Sequence, residues 1–348
     1  MPDDRNGSFQ VGVTRDVRRP DGSFTFAPYD LGPLEEAGIP WRFLEDDRPT
    51  PDTLSGIDGL YHYATPLSIS TLDTVERLAV IARHGVGLDY VDVDACTGRG
   101  IAVTITPGGV TRPMASSAVT LVLALAHRLF ERNRALHAGD WGAGRFRPEG
   151  TGLGGRTLGV IGYGRIGRDV VRLLEPWGMR VLVTRRNPVG GDGVTHVPLE
   201  ELLRESDFVV VACPLTGQTR GLLDRRRLAL MKPTAFLVNV ARGAIVDQGA
   251  LVDALREGRL AGAGLDVVDP EPLPADDPLL SLPNVIGAPH SLGYTDELLR
   301  GCVEQACEAL IDVASGRVPK DLVNPEVLDN PRFAEKLDRF RASEMMRR

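Results

Sequence analysis

The 348-residue chain has few of the residues that announce a metal centre or a disulfide framework. Its four cysteines, Cys96, Cys213, Cys302 and Cys307, form no CxxC pair, and its six histidines show no HxxxH or HExxH spacing. Free thiols in a reducing compartment and no metal are therefore expected. Long apolar runs are missing as well. The longest, Ala118–Ala126, is interrupted by Thr120 and falls far short of the ~20 residues that span a bilayer. The opening Met1-Pro-Asp-Asp-Arg-Asn-Gly has neither the positive n-region nor the apolar h-region of a signal peptide. The expected location is cytoplasmic, with no membrane partner. Excess positive charge is absent too. The 40 basic residues are outnumbered by 47 acidic ones, for a net charge of −7, the reverse of a nucleic-acid-binding domain. Only three of the basic residues are lysine (Lys232, Lys320, Lys336), a compositional bias given no functional weight.

The length suggests two domains at roughly 150 residues each, enough to bury a core without covalent staples. Neither an internal repeat nor a low-complexity tract occurs. Short β-branched runs alternate with segments of helical period, the βα pattern of a parallel sheet covered by helices. The spacing predicts strands at Gly59–His62, Val80–Arg83 and Ala102–Ile105, with helices Leu67–Val75 and Val91–Thr97 between them. A long helix from Arg112 to about His137 follows, with Pro113 in its first turn, and then a loop from Gly139 to Gly155. Strands Thr157–Ile161, Arg180–Thr184, Phe208–Ala212, Ala235–Val240, Ala263–Val267 and Val285–Ala288 form a second series. Leu298, Cys302, Ala306, Leu310 and Val313 mark one face of a late helix, Glu297–Ser315. Phe333, Leu337 and Phe340 have helical spacing in a tail that either docks or frays.

Gly162-Tyr-Gly164-Arg165-Ile166-Gly167 fits GxGxxG directly after a predicted strand and at the start of a helix, which is the context that gives this motif its meaning. Gly162 permits the tight turn, Gly164 lets the backbone approach a pyrophosphate, and Gly167 lets the helix pack on the sheet. The helix N-terminus supplies amides and the positive end of its dipole. On these residues alone, a flavin or S-adenosylmethionine site stays open beside a nicotinamide dinucleotide.

Three downstream segments stand at strand ends: Asn239-Val240-Ala241-Arg242-Gly243, Gly264-Leu-Asp266-Val-Val-Asp-Pro-Glu271-Pro, and Ala288-Pro-His290-Ser-Leu-Gly293. Ligands of doubly wound sheets sit beyond the carboxyl ends of strands. Arg242 is a permanently charged fork suited to a carboxylate and its neighbouring carbonyl. His290 can exchange the proton that accompanies hydride transfer, and Glu271 beside it would favour the charged imidazole. The set suits reduction of a 2-oxo acid.

These motifs, together with Arg83-His-Gly-Val86-Gly87-Leu-Asp89 and Cys213-Pro214-Leu-Thr with Thr219, resemble those of the D-isomer-specific 2-hydroxyacid dehydrogenases from about Gly59 to Pro325. The resemblance implies an α/β protein in which a Rossmann-type doubly wound cofactor domain, residues 107–293, is inserted into a flavodoxin-like substrate-binding domain, residues 1–106 and 294–348. It implies Arg242, Glu271 and His290 as the catalytic set. Val86 and Gly87 would hold the substrate carboxylate through their amides, with Arg242 and His290 also at the substrate. Asp266 would hold the nicotinamide carboxamide. Arg165 and Ile166 match the pyrophosphate turn, and Cys213, Pro214, Thr219, Val240, Ala241 and Gly293 line the cofactor. The long helix after Arg112 resembles the family's interdomain and dimer-forming element, which implies a homodimer. Two features depart from the family pattern: Ala115-Ser116 stands where Ala-Glu is usual, and the Arg145–Gly155 loop is long.

Another departure bears on the cofactor. NAD sites carry an acid at the end of the second strand to accept from the ribose 2′-OH. Here Thr184 is followed by Arg185 and Arg186, which suit the 2′-phosphate of NADP. NADP is the expected cofactor, with NAD as the alternative, since Asn187 and Asp192 lie nearby. The expected activity is NADPH-preferring reduction of a glyoxylate- or hydroxypyruvate-type acid. The alternatives are an NAD-dependent D-2-hydroxyacid or phosphite-type dehydrogenase and, outside enzymes, a dinucleotide-sensing corepressor-like protein. Formate oxidation is disfavoured, because that branch carries Gln where Glu271 stands. Substrate choice is expected to lie in Tyr61–Thr65 and Arg145–Gly155.

Overall fold

The computed structural model describes residues 8–142, 149–187 and 193–347, the last five by backbone alone. Residues 145–148 of the expected loop and Asp192 lie outside the described residues. The chain divides into two compact units. One is the described part of Met1–Val110 with Thr295–Arg348, and the other is Thr111–Tyr294.

The first unit has a five-stranded sheet: β1 (Val11–Val13), β2 (Trp41–Phe43), β3 (Gly59–His62), β4 (Val80–Arg83) and β5 (Ala102–Thr104), in the order β2-β1-β3-β4-β5. Every neighbouring pair is parallel. Parallel strands are covered on both faces, so they read as continuous apolar runs, and β3 and β4 are buried throughout. Side chains alternate between faces along each strand. Val80 and Ala82 join a core with Phe9, Leu310 and Phe333, while Ile81 packs with Leu60, Leu72 and Val103. The late helix runs Asp296–Ala314, capped by the Thr295 hydroxyl, and buries the five residues expected on its inner face. The tail docks as a helix, Pro331–Arg347. Phe333, Leu337 and Phe340 are buried, Phe340 meets Phe9 edge-on at 4.9 Å, and Lys336 donates to the carbonyls of Leu78, Arg99 and Gly100.

The second unit has seven strands: β6 (Thr157–Ile161), β7 (Arg180–Thr184), β8 (Thr195–His196), β9 (Phe208–Val211), β10 (Phe236–Asn239), β11 (Gly262–Leu265) and β12 (Val285–Gly287). Their order is β12-β11-β10-β9-β6-β7-β8, again all parallel. The chain winds outward from β6 to β8 and then restarts at β9 on the other side of β6. That reversal opens a crevice at the carboxyl ends of β6 and β9.

Several elements differ from the sequence reading. The long helix is two helices, Pro107–Ala126 and Leu129–His137, broken at Arg128, whose φ is +49°. Because the first begins at Pro107, Pro113 lies inside it and not in its first turn. This helix is long and apolar enough by composition to cross a membrane. Its Ala118, Leu121, Val122 and Leu125, however, pack in the core with Val160, Phe208 and Phe236. The second helix buries no residue. Leu67–Val75 shortens to one turn, Ile69–Leu72. Strands β1, β2 and β8, which span three, three and two residues, are not among those expected.

Docking of the tail has a measurable consequence. Phe333→Ala should cost the unfolding transition about 3–5 kcal/mol, the usual loss for a fully buried phenylalanine, read from urea denaturation followed by circular dichroism. A loss below about 1 kcal/mol would show that the helix contributes little to the fold.

Candidate active site

The glycine turn follows β6. Gly162 has φ +97°, and a Cβ there would come within 2.6 Å of the Cys213 backbone. The turn thus needs glycine both for its conformation and for its approach to the segment after β9. A Cβ on Gly167 would strike the Gly162 carbonyl at 2.2 Å, whereas one on Gly164 would meet nothing within 4 Å. Open space at Gly164 lies next to the N-terminus of the helix Arg165–Leu174, whose N-cap, Gly164 itself, has no side chain to cap the first amides. Space of this kind at a helix N-terminus suits a pyrophosphate. Gly162 also donates to the Thr184 carbonyl at 2.9 Å, which brings the end of β7 beside the turn. Arg185 follows half-buried, with its Nη1 enclosed and without a hydrogen-bond partner among the described residues, and Arg186 is exposed. Burial pushes the Cys213 thiol up to about 11, so it is an uncharged group at neutral pH. The Thr219 hydroxyl is committed to its own turn: it donates to the Pro214 carbonyl at 2.7 Å and accepts from the Thr216 amide at 2.7 Å.

Arg242, Glu271 and His290 follow β10, β11 and β12, three neighbouring strands whose carboxyl ends share one edge. Each is held by a polar anchor. The buried Asn239 donates from Nδ2 to the Arg242 carbonyl at 2.9 Å and accepts the Ala241 amide at 3.0 Å, which shapes the turn that presents Arg242. Glu271 accepts the Val268 amide on Oε1 at 3.1 Å and faces His290 Nδ1 with Oε2 at 2.8 Å. Burial works against the Glu271 carboxylate. The hydrogen bond and charge of His290, the Val268 amide and the charge of Arg242 outweigh it and hold Glu271 below the ordinary glutamate pKa. An ionised carboxylate only accepts, so His290 donates from Nδ1 and leaves Nε2 to exchange a proton. His290 has a left-handed backbone, φ +52°. Its amide donates to the Asp266 carbonyl at 2.8 Å, and the buried Asp266 carboxylate accepts the Ser291 and Leu292 amides at 3.0 and 2.9 Å.

Val240 is buried, and Ala241 is half-buried beside it. Val86 and Gly87 belong to the other unit, on the loop after β4, and are half-buried. The sequence reading assigned nothing to Asn239, although an asparagine three residues ahead of Arg242 is a recognisable turn signal. It also gave Asp266 a cofactor contact without its hold on the His290 loop.

A family model described as D-isomer specific 2-hydroxyacid dehydrogenase, NAD binding domain, matches residues 119–291. The chain is 43% identical over 270 residues to a glyoxylate reductase of Korarchaeum cryptofilum, covering 76% of this chain and 81% of that protein. It is 45% identical over 265 residues to one of Thermococcus gammatolerans, covering 74% and 79%. A solved structure of an NADPH-dependent glyoxylate/hydroxypyruvate reductase from Sinorhizobium meliloti, in complex with NADP and malonate, superposes with a TM-score of 0.79. It is 30% identical, with 92% of this chain and 98% of that one covered.

The two glycine positions should separate fold from ligand. Gly164→Ala should leave the melting temperature within about 1 °C yet weaken NAD(P)H binding by about tenfold or more, because the added methyl occupies the pyrophosphate's space. Gly162→Ala should lower both. Differential scanning fluorimetry and nucleotide fluorescence titration read the two effects, and unchanged affinity in Gly164→Ala would remove the turn from the cofactor site.

Proposed function

The chain belongs to the D-isomer-specific 2-hydroxyacid dehydrogenase family, and on that premise we propose that it reduces a small 2-oxo acid of the glyoxylate or hydroxypyruvate type, with NADPH preferred over NADH. The observation that carries this reading is the 2.8 Å Glu271–His290 pair, which stands beside Arg242 at adjacent strand ends. When bound, the reduced nicotinamide supplies a hydride to C2 of the acid. His290 delivers a proton from Nε2 to the oxygen on that carbon, and Glu271 stabilises the imidazolium before transfer. The Arg242 fork holds the carbonyl and carboxylate oxygens in one plane. The amides of Val86 and Gly87 take the carboxylate, and Asp266 faces the nicotinamide carboxamide while it fixes the His290 loop. The Thr111–Tyr294 unit is thus the cofactor domain, and the remainder of the chain is the substrate domain.

The preference for NADPH is supported by Arg185, a guanidinium whose enclosed Nη1 has no acceptor among the described residues, at the position where NAD sites carry an acid. A 2′-phosphate supplies that acceptor. The relative from Sinorhizobium meliloti, with NADP in its structure, supports the same choice. We also propose a homodimer. Leu129, Phe130 and Leu136 are half or more exposed on the helix Leu129–His137, an apolar face of the kind that self-association covers.

Two measurements test the reading. His290→Asn should lower kcat for glyoxylate or hydroxypyruvate by about 10²–10⁴-fold with NADPH affinity retained. Wild-type kcat in that variant would end the acid–base assignment. The kcat/KM for NADPH should exceed that for NADH, and Arg185→Ala with Arg186→Ala should reverse the order through loss of charge-assisted hydrogen bonds. A wild-type preference for NADH, or undiminished NADPH use by the double variant, would reject NADP as the cofactor.

A further inference from the structure

The carboxyl ends of β3 and β4 are tied together by buried side chains on both faces of the sheet. His62 and Arg83 oppose each other in the strand register. Arg83 is only 4% exposed, although it carries a permanent charge. Its Nη1 donates to His62 Nδ1 at 2.7 Å and to the Tyr63 carbonyl, and its Nε donates to the Gly87 carbonyl at 3.0 Å. His62, fully buried, gives its Nε2 proton to the Thr65 carbonyl at 2.6 Å, so Nδ1 is left as an acceptor. Burial, reinforced by the charge of Arg83, depresses the His62 pKa to about 3. The imidazole therefore stays neutral, and the acceptor persists at neutral pH. On the opposite face, Tyr61 Oη lies 2.6 Å from His84 Nδ1, with Phe26 stacked on that ring at 4.3 Å.

The loop leaving β4 is anchored at both ends. At one end, the Gly85 amide donates to the Thr106 hydroxyl at 2.7 Å and the Gly85 carbonyl accepts the Thr106 amide at 3.1 Å. At the other, the Gly87 carbonyl rests on Arg83. Between these anchors the amides of the half-buried residues Val86 and Gly87 have no protein acceptor among the described residues. Donors fixed in place before a ligand arrives are those that bind an anion most strongly.

We propose that Arg83, supported by His62, is the positioning residue of the carboxylate site: one guanidinium fixes the Gly87 carbonyl and the 62–65 segment together and so aims the Val86 and Gly87 amides. This rests on the reading above that those amides take the carboxylate of a 2-oxo acid. Arg83 acts through the loop, by three directed bonds to protein acceptors. Its loss should therefore weaken every acid that shares the carboxylate, whatever its side chain. A lysine keeps the charge but presents one ammonium in place of the fork, so it cannot hold the Gly87 and Tyr63 carbonyls and His62 with the same geometry.

The test uses the full chain with NADPH and, in parallel, glyoxylate and hydroxypyruvate. Arg83→Lys and Arg83→Gln should raise KM for both acids by about tenfold or more, consistent with the steep cost of a small misplacement. Their kcat should change less than about threefold, and NADPH affinity less than about twofold. His62→Gln, which keeps a neutral acceptor and donor, should raise both KM values by less than about threefold. A residue that only supports the fold would lower the active fraction, and with it kcat, at constant KM. If Arg83→Gln does not fold, Arg83→Lys decides. KM within twofold of wild type in Arg83→Lys, or a rise for one acid only, overturns the assignment while the functional reading stands. Failure of the wild type to reduce either acid overturns the functional reading and this assignment with it.

Discussion

In a parallel sheet every strand points the same way, so every loop that leaves a carboxyl end leaves from one edge. Both sheets here obey that constraint. In the larger one it gathers the Gly162 turn, Arg185, the Cys213 segment, Arg242, Glu271 and His290 along a single rim, although they span more than a third of the sequence. In the smaller one it puts the 62–65 segment beside the loop from His84 to Leu88. The same constraint leaves these loops outside the hydrogen-bond ladder. Their backbone groups need partners from side chains, and the rim carries such partners: Asn239 under Arg242, Glu271 under Val268, Asp266 under His290, and Arg83 under Gly87.

Much of this was legible in the sequence because strand ends carry chemistry in fixed order. The βα alternation, the glycine turn and the Arg242–Glu271–His290 series all read forward to elements found where expected. What escaped was short or three-dimensional. Strands Val11–Val13, Trp41–Phe43 and Thr195–His196 are recruited by pairing with longer neighbours, a tertiary effect that no local window records. The break at Arg128 has no glycine or proline to mark it, since arginine in a left-handed conformation is uncommon. The Arg83–His62 clamp joins residues on different strands, and its register becomes visible only once β3 lies against β4.

Polar anchoring and apolar packing divide the labour by layer. Below the rim, β9 and β10 present Phe208 and Phe236 stacked at 5.3 Å within a core of branched side chains that excludes water and fixes strand spacing. At the rim, buried Asn239 and Asp266 replace apolar contacts with directed ones. A buried polar group without a partner is costly, so each anchor is tolerated only because its acceptors and donors are matched. Matched groups in turn permit few alternative loop conformations. Substitution at an anchor should therefore disturb the chemistry before it disturbs the core.

The His290 turn shows how such an anchor outweighs local strain. A non-glycine residue at φ +52° costs on the order of 1–3 kcal/mol, which the surrounding structure must offset. Asp266 does. Its carbonyl accepts the His290 amide, and its buried carboxylate accepts the next two amides at 3.0 and 2.9 Å. Hydrogen bonds to a charged acceptor contribute about 1.5–3 kcal/mol each, so the two carboxylate bonds together match or exceed the strain. The left-handed turn lets the ring meet Glu271 through Nδ1, which keeps Nε2 available for proton exchange. The conformation that would be an error in isolation is thus maintained by one carboxylate at the end of the preceding strand, and the placement of the His290 ring inherits the rigidity of β11.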